Sequence, residues 1–203
     1  SKKNTAGFST RAIHVGNAAD PSTGAVAPPI FATSTYAQEE LGKTKGYDYA
    51  RTAHPNRRAL ERCLTKLEGG VGAFVFTSGM AAIDSVFRLL RPGDHLIVSS
   101  AVYGGVYRLL TQHLAQFGFA FDFIDTSDPA ATRAAIRPTT RMIYVETPTN
   151  PTMILTDIAA TAGIARDHNA TLVVDNTFLS PYCQLPLSLG AHIVVHSMTK
   201  YLN

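Results

Sequence analysis

The chain has 203 residues, of which 45% are hydrophobic and 16% are charged. This composition excludes an intrinsically disordered chain, because such chains are poor in apolar residues and rich in charge. The net charge of +3 comes from 18 basic and 15 acidic residues that form no run of like sign, so charge favours neither a nucleic-acid nor a membrane partner. The apolar stretches are too short to cross a bilayer. We therefore expect a cytoplasmic protein with both of its cysteines reduced.

Residues 1–55 show little periodicity and are rich in Pro, Gly, Ser and Thr. This pattern predicts an extended N-terminal arm that contacts a neighbouring subunit. The pattern changes at Asn56, after which apolar residues recur at helical spacing. We predict a helix that Asn56 caps and Gly69-Gly70 ends, at the start of an α/β domain over residues 56–203.

Beyond this helix, short apolar runs alternate with helical patterns. The runs that predict buried strands are Ala73–Phe76, His95–Ser99, Ala120–Ile124, Met142–Glu146, Leu172–Asp175 and Ile193–His196. The helical segments between them are Met80–Leu90, Gly105–Phe117, Ala130–Ile136 and Asp157–His168. This alternation predicts a doubly wound, mostly parallel α/β sheet with helices on both faces. The chain stops just after the last strand, so we expect it to be a truncated part of a longer polypeptide.

Ligands bind to an open parallel sheet at the carboxyl ends of its strands, and polar residues follow several of the predicted strands. Ser78-Gly79-Met80 opens a helix after the first strand, where N–H groups and a hydroxyl suit a phosphate, although an N-cap by Ser78 explains the serine equally well. Tyr103 follows the second strand on a Gly-rich turn. Asn150 follows the fourth in a stiff Pro-containing turn that could aim its amide at a substituent of a ligand ring, although a plain Pro-rich loop explains the sequence as well.

Two charged residues at strand ends complete this candidate site. Asp175 ends the fifth strand, and because an unpaired buried carboxylate is costly, we expect it to have a cationic partner. Lys200 follows the sixth strand and is a candidate amine for a Schiff base. A phosphate site, an aromatic ring, a carboxylate and a lysine together predict pyridoxal phosphate as the cofactor.

Six ordered motifs, spread over essentially the whole chain, carry a resemblance to a known family. They are Tyr49-Ala50-Arg51, Ser78-Gly79-Met80, Tyr103-Gly104-Gly105, Glu146-Thr147-Pro148-Thr149-Asn150-Pro151, Val174-Asp175-Asn176-Thr177 and His196-Ser197-Met198-Thr199-Lys200-Tyr201. In these motifs the chain resembles the γ-subfamily of pyridoxal-phosphate enzymes of cysteine and methionine metabolism. The resemblance implies the aspartate-aminotransferase-like fold, known as fold type I of these enzymes.

The resemblance also implies a role for each matching residue. Lys200 and Tyr103 are the catalytic residues, since Lys200 bonds the cofactor aldehyde and moves protons while Tyr103 stacks on the ring. Asp175 pairs with the pyridine nitrogen, and Asn150 lies near the ring hydroxyl. The residues implied to bind the phosphate are Ser78, Gly79, Met80, Ser197 and Thr199. Tyr49 and Arg51 reach the active site of the neighbouring subunit, which implies a homo-oligomer built as a dimer of dimers.

The resemblance favours cystathionine γ-lyase, which converts L-cystathionine to cysteine, 2-oxobutanoate and ammonia. Gly105 stands where methionine γ-lyases usually have a cysteine, which favours a cystathionine enzyme. Cystathionine γ-synthase, O-acylhomoserine sulfhydrylase and methionine γ-lyase remain alternatives. A further alternative is an inactive, truncated pyridoxal-phosphate-binding module, because the arginine that binds the substrate carboxylate in this family lies C-terminal to the matched region.

Other enzyme classes lack their motifs in this sequence. A dinucleotide-binding turn needs Gly-x-Gly-x-x-Gly between a strand and a helix, and the Gly69–Gly72 cluster precedes a predicted strand instead. The Gly-x-Ser-x-Gly of α/β hydrolases does not surround Ser78. We predict no metal site at His192 and His196, because residues four apart on a strand lie about 13 Å from each other.

Overall fold

The computed structural model describes residues 6–202 of the chain. The described residues form two compact units, 6–75 and 76–202. The boundary between the units lies after Val75, whereas the helical spacing of apolar residues in the sequence begins at Asn56. Within residues 6–202, no helix combines the length and the apolar character needed to cross a membrane.

The first unit contains two helices that contact each other, α1 (Phe8–His14) and α2 (Pro55–Glu68). The segment between them is mostly turns and irregular chain, with isolated bridges between Thr35 and Tyr49 and between Glu40 and Lys43. The sequence analysis did not predict α1, a helix of seven residues with no buried residue.

The start of α2 differs from the prediction. The N-cap position is His54, and Pro55 is the first helical residue, where the missing N–H of proline costs nothing. The side chain of Asn56 accepts a hydrogen bond from the Phe31 N–H and donates one to the Pro29 carbonyl, so it holds the preceding segment instead of capping the helix. The predicted end is confirmed, since Gly69 terminates α2 with a φ of 71°.

Five parallel strands form the sheet of the second unit. They are β1 (His95–Ser99), β2 (Ala120–Ile124), β3 (Thr140–Glu146), β4 (Thr171–Asp175) and β5 (Ile193–Val195). Their spatial order is β2-β1-β3-β4-β5. Five of the six predicted strands are therefore confirmed, with small changes at their ends.

The sixth prediction, a strand over Ala73–Phe76, is wrong for the described residues. This segment pairs with none of the strands that the structure describes, and the Phe74 side chain is 83% exposed. An apolar run predicts which side chains can be buried, but a strand also needs a neighbour whose backbone groups complete its hydrogen bonds.

The helices of the second unit follow the predicted pattern. They are α3 (Gly79–Phe87), α4 (Gly104–Arg108), α5 (Pro129–Ala134), α6 (Ile158–Asp167) and α7 (Ser180–Cys183). α4 continues into a π-helical turn at Leu109–His113 and a 3₁₀ turn at Leu114–Phe117, so the predicted helix over Gly105–Phe117 is present but irregular. A 3₁₀ turn also lies at Pro186–Leu189.

Two apolar cores cover the two faces of the sheet. Leu96 and Val98 of β1 pack in one core with residues of α3 and α4, whereas Ile97 packs in the other core with residues of α6. Successive residues of a strand point to opposite faces, so β1 is apolar at its centre because both of its faces are buried. The predicted doubly wound arrangement is confirmed.

The order of the strands reverses at β1, because β2 lies on one side of it and β3, β4 and β5 on the other. In open α/β sheets the crevice at such a reversal, outside the carboxyl ends of the strands, is where ligands bind. At this edge β1 ends at Ser99, β3 at Glu146 and β4 at Asp175.

Candidate active site

The amino end of α3 offers backbone N–H groups to a ligand. Ser78 is the N-cap residue, and its Oγ accepts a hydrogen bond of 3.1 Å from the Ala81 N–H. The capping interpretation of Ser78 is therefore confirmed. The N–H groups of Gly79 and Met80 belong to the first turn, which has no intrahelical acceptors for them. A helix end of this kind attracts anions.

The loop after β5 lies directly against this helix end. A Cβ atom on Gly79 would be only 2.8 Å from the Ser197 Cβ, so only glycine permits this approach. The Oγ of Ser197 and the Oγ1 of Thr199 are 2.9 Å apart. The Ser197 hydroxyl is thus close to the amino end of α3 and is paired with the Thr199 hydroxyl, and a phosphate site at these residues stays a prediction.

Tyr103 lies in the turn between β1 and α4, and its ring is partly exposed to solvent. The ring lies against Gly105, where a Cβ atom would collide with the ring edge and would be 2.9 Å from the Met80 Sδ. Gly105 therefore leaves room for the Tyr103 ring and the Met80 side chain, which both lie beside it. The turn after β1 is thus close to the amino end of α3.

Glu146, the last residue of β3, holds two of the loops at this edge. Its Oε2 accepts a hydrogen bond of 2.7 Å from the Tyr103 N–H, and its Oε1 accepts one of 3.1 Å from the Asn150 N–H. The pKa of Glu146 is raised to about 7, mainly by burial and also by the Asp175 charge, while the hydrogen bonds from the two N–H groups oppose the rise. The sequence analysis named Glu146 only as part of a motif, although a carboxylate that ends a buried strand is the same signal that identified Asp175.

Asp175, the last residue of β4, is 6% exposed and accepts hydrogen bonds from three neutral donors. The Tyr144 hydroxyl donates to Oδ2 at 2.9 Å. The hydroxyl and the N–H of Thr177 donate to Oδ1 at 2.6 and 3.1 Å. Among residues 6–202 no ion pair includes Asp175, so no cationic side chain neutralises it and the expected cationic partner stays a prediction. The three donors replace the water that a buried carboxylate loses, and a carboxylate has room for one more donor.

Two residues that the sequence analysis assigned no role connect Asp175 to its surroundings. Thr177 links it to the loop after β5, because its hydroxyl oxygen also accepts a hydrogen bond of 2.8 Å from the Ser197 N–H. Tyr144 is fully buried, and burial together with the Asp175 charge raises its pKa well above the ordinary value of 10. A tyrosine inside an apolar strand is a signal that could have been used, since a buried hydroxyl needs a partner.

The remaining predicted residues are exposed. Lys200 lies in the turn after β5, where its N–H donates to the Ser197 carbonyl at 3.3 Å. Asn150 lies in the loop after β3. Tyr49 and Arg51 belong to the first unit, where the Arg51 Nη2 donates a hydrogen bond of 3.0 Å to the Tyr49 hydroxyl.

Comparison with known proteins identifies the family. The sequence model described as "Cys/Met metabolism PLP-dependent enzyme" matches residues 9–203. The chain belongs to this family. The resemblance inferred from the six motifs and the predicted fold class are thereby confirmed.

The chain resembles enzymes with several names. It is 52% identical over 196 residues to a probable cystathionine gamma-synthase of Herpetosiphon aurantiacus. The matched region is 97% of this chain and 61% of that protein. It is 50% identical over 193 residues to cystathionine gamma-lyase of Bacillus subtilis and 47% identical over 193 residues to cystathionine beta-lyase of Lactococcus lactis subsp. cremoris, covering 95% of this chain and 51% of each relative.

A solved structure gives the same result. The crystal structure of metB from Corynebacterium glutamicum superposes with a TM-score of 0.95 at 47% identity, over 98% of this chain and 52% of that one. The chain thus spans between a half and two thirds of the length of the curated relatives it matches.

The family implies pyridoxal phosphate, and the residues present fit this cofactor. Gly79 lets the loop that carries the Ser197 hydroxyl approach the amino end of α3, and a hydroxyl beside the first N–H groups of a helix suits a phosphate group. Asp175 has buried acceptor oxygens and only neutral donors, which suits a protonated ring nitrogen.

Proposed function

We propose that this chain is the pyridoxal-phosphate-binding part of an enzyme that cleaves L-cystathionine by γ-elimination, which yields cysteine, 2-oxobutanoate and ammonia. The observation that supports the proposal is a continuous series of contacts among the candidate residues at the carboxyl edge of the sheet. In order, the series runs through Asn150, Glu146, Tyr103, Gly105, Met80, then Gly79, Ser197, Thr177 and Asp175.

In this proposal each group of residues holds one part of the cofactor. The amino end of α3 with Ser197 and Thr199 holds the phosphate, Tyr103 covers one face of the ring, and Asn150 lies beside the ring hydroxyl. Asp175 stabilises a proton on the ring nitrogen, since a nearby negative charge favours the protonated base. When bound, pyridoxal phosphate withdraws electrons from the α-carbon of an amino acid.

Lys200 has the central role in this proposal. Its Nζ would hold the cofactor through the aldehyde in the resting protein, and once the substrate amine has displaced it, the freed Nζ would accept the α-proton. The backbone hydrogen bond from the Lys200 N–H to the Ser197 carbonyl places Lys200 in the same turn as Ser197, whose hydroxyl is proposed to bind the phosphate.

Two other reactions are supported by specific relatives. The relative from Herpetosiphon aurantiacus is named a probable cystathionine gamma-synthase, and the Lactococcus lactis relative a cystathionine beta-lyase. Methionine γ-lyase is disfavoured, because position 105 is a glycine, whereas methionine γ-lyases usually have a cysteine there.

Product analysis separates these reactions. We expect the complete protein, loaded with pyridoxal phosphate, to release 2-oxobutanoate and cysteine from L-cystathionine. Release of pyruvate and homocysteine would identify a β-lyase, and formation of cystathionine from an O-acylhomoserine and cysteine would identify a γ-synthase; either result as the main activity overturns the γ-lyase proposal.

Lys200→Ala is the matched control and should abolish each of these reactions. Full activity in this variant would contradict the proposed role of Lys200. A complete protein that binds pyridoxal phosphate but turns over none of these substrates would support the alternative of a binding module.

A further inference from the structure

We propose that Tyr144 is a positioning residue that acts through Asp175: its hydroxyl stabilises the ionised carboxylate and thereby favours a positively charged ring nitrogen in the bound cofactor. The inference rests on the proposed function, in which Asp175 pairs with that nitrogen. It assigns a role to a residue in the interior of the sheet that does not touch the cofactor.

The position of Tyr144 fixes its hydroxyl on Asp175. Tyr144 lies within β3 in register with Val173 of β4, and its side chain packs in the same core as Val173. Asp175 is two residues beyond Val173, so its side chain points to the same face of the sheet. The Tyr144 ring is 0% exposed and packs edge-on against Phe87, with centroids 5.2 Å apart. The ring is thus held with its hydroxyl 2.9 Å from the Asp175 Oδ2.

The charges around Asp175 make this hydrogen bond important. Glu146 ends the neighbouring strand in register with Asp175, so a second carboxyl group lies nearby. Thr177 and Tyr144 stabilise the Asp175 anion without supplying a positive charge. A hydrogen bond to the charged form of an acid favours that form. Without the Tyr144 hydroxyl, the proton shared with the ring nitrogen would shift towards Asp175.

Packing of the core does not require the Tyr144 hydroxyl. A phenylalanine at position 144 would fill the same volume in the core and would avoid burying a polar atom. The phenol remains a donor at physiological pH, because burial and the Asp175 charge raise the pKa of Tyr144. The role that remains for the Tyr144 hydroxyl is to stabilise the negative charge of Asp175.

The test compares two cofactors in the complete protein. Dissociation constants are measured for pyridoxal phosphate and for its analogue in which C–H replaces the ring nitrogen. The ratio of the two constants reports only what the ring nitrogen contributes to binding. We expect wild-type protein to prefer pyridoxal phosphate, and Tyr144→Phe to reduce this preference about tenfold, the size expected for one charge-assisted hydrogen bond. A purely structural effect would weaken both ligands equally, and an unchanged ratio overturns the inference.

Two control variants separate this inference from the proposed function. Tyr107→Phe removes a hydroxyl from a ring that is 52% exposed and should leave the ratio unchanged; a tenfold reduction here would overturn the inference too. Asp175→Asn should remove the preference. If wild type and Asp175→Asn show the same ratio, the proposed role of Asp175 fails; if they differ but Tyr144→Phe equals wild type, only the inference fails.

A second substitution keeps the test valid if Tyr144→Phe does not fold. 3-Fluorotyrosine at position 144 retains the ring and has a more acidic hydroxyl, which is a stronger donor. We expect it to increase the preference for pyridoxal phosphate above that of wild type. An unchanged or reduced preference overturns the inference.

Discussion

The carboxyl groups of Asp175 and Glu146 end neighbouring strands at the candidate site, and they differ in their hydrogen-bond donors. Asp175 accepts hydrogen bonds from two hydroxyls and one N–H, whereas Glu146 accepts them from the N–H groups of two loops. Burial raises the pKa of Glu146 to about 7. The protonation of Glu146 therefore changes near neutral pH, and its effect on stability can be measured there.

We expect Glu146 to make the protein less stable as the pH rises. Its pKa is about 7 in the folded protein and 4.5 ordinarily, so its stabilising contribution is fully present below pH 4.5 and is lost as the pH rises through 7. Relative to Glu146→Gln, the free energy of unfolding of the wild type should fall by up to about 3 kcal/mol across this range. Urea unfolding of the cofactor-free protein at several pH values measures the difference. A difference that is constant with pH would contradict the prediction.

The sequence was informative about residues whose chemistry is visible at a strand end. Asp175 and Lys200 follow apolar runs, so their position in a parallel sheet already placed them at its carboxyl edge. Tyr144 and Thr177 could not be selected in this way, because each acts through a hydrogen bond to a residue that only the fold brings close: β3 must pair with β4, and the loop after β5 must return to β4.

At the scale of elements, the close approach of α3 to the loop after β5 determines the candidate phosphate site. A methyl group on Gly79 would lie 2.8 Å from the Ser197 Cβ, so the helix end and the loop would have to separate. We expect Gly79→Ala to weaken binding of pyridoxal phosphate at least about tenfold, through the loss of charge-assisted hydrogen bonds to the phosphate. Binding of pyridoxal, which lacks the phosphate, should change much less. Fluorescence titration of both ligands measures this, and an equal loss for both would contradict a phosphate site.

Gly163→Ala is the matched control for this substitution. Gly163 lies in α6, and the nearest atom that a Cβ would meet is the Arg166 Nη2 at 4.0 Å. Alanine should stabilise the folded protein by about 0.5–1 kcal/mol, because glycine loses more conformational freedom in a helix. Thermal or urea unfolding checks this stabilisation, and affinity for pyridoxal phosphate should be unchanged.

The elements differ in how well a single sequence predicts them. β1, β3 and β4 are buried on both faces, so their apolar runs stand out from the flanking residues. Ala73–Phe76 has a similar run but no partner strand among the described residues, and a run alone does not specify a partner. The short helix α1 shows the opposite case, since it forms although none of its residues is buried.

At the scale of the whole molecule, the first unit contains two candidate residues whose role depends on oligomerisation. Tyr49 and Arg51 are joined by a hydrogen bond and are both exposed in the single chain. The family resemblance implies that they complete the site of a neighbouring subunit. A symmetric dimer would then contain two sites, each built from both chains.

Mixing two inactive variants tests this arrangement. Arg51→Ala and Lys200→Ala should each be inactive as homo-oligomers, and hybrids formed by dissociation and reassociation should recover activity. A hybrid dimer then has one site with both substitutions and one site with neither. Size-exclusion chromatography confirms reassociation. Reassociated mixtures that stay inactive would show that Arg51 acts within its own chain or not at all.

The most direct test of the account is whether the Lys200 amine carries the cofactor. We expect borohydride reduction of the complete, pyridoxal-phosphate-saturated protein, followed by peptide mapping by mass spectrometry, to locate a pyridoxyl group on Lys200. The label should be absent from this peptide in Lys200→Ala. A label on another lysine with none on Lys200, or no label at saturation, would contradict the proposed site.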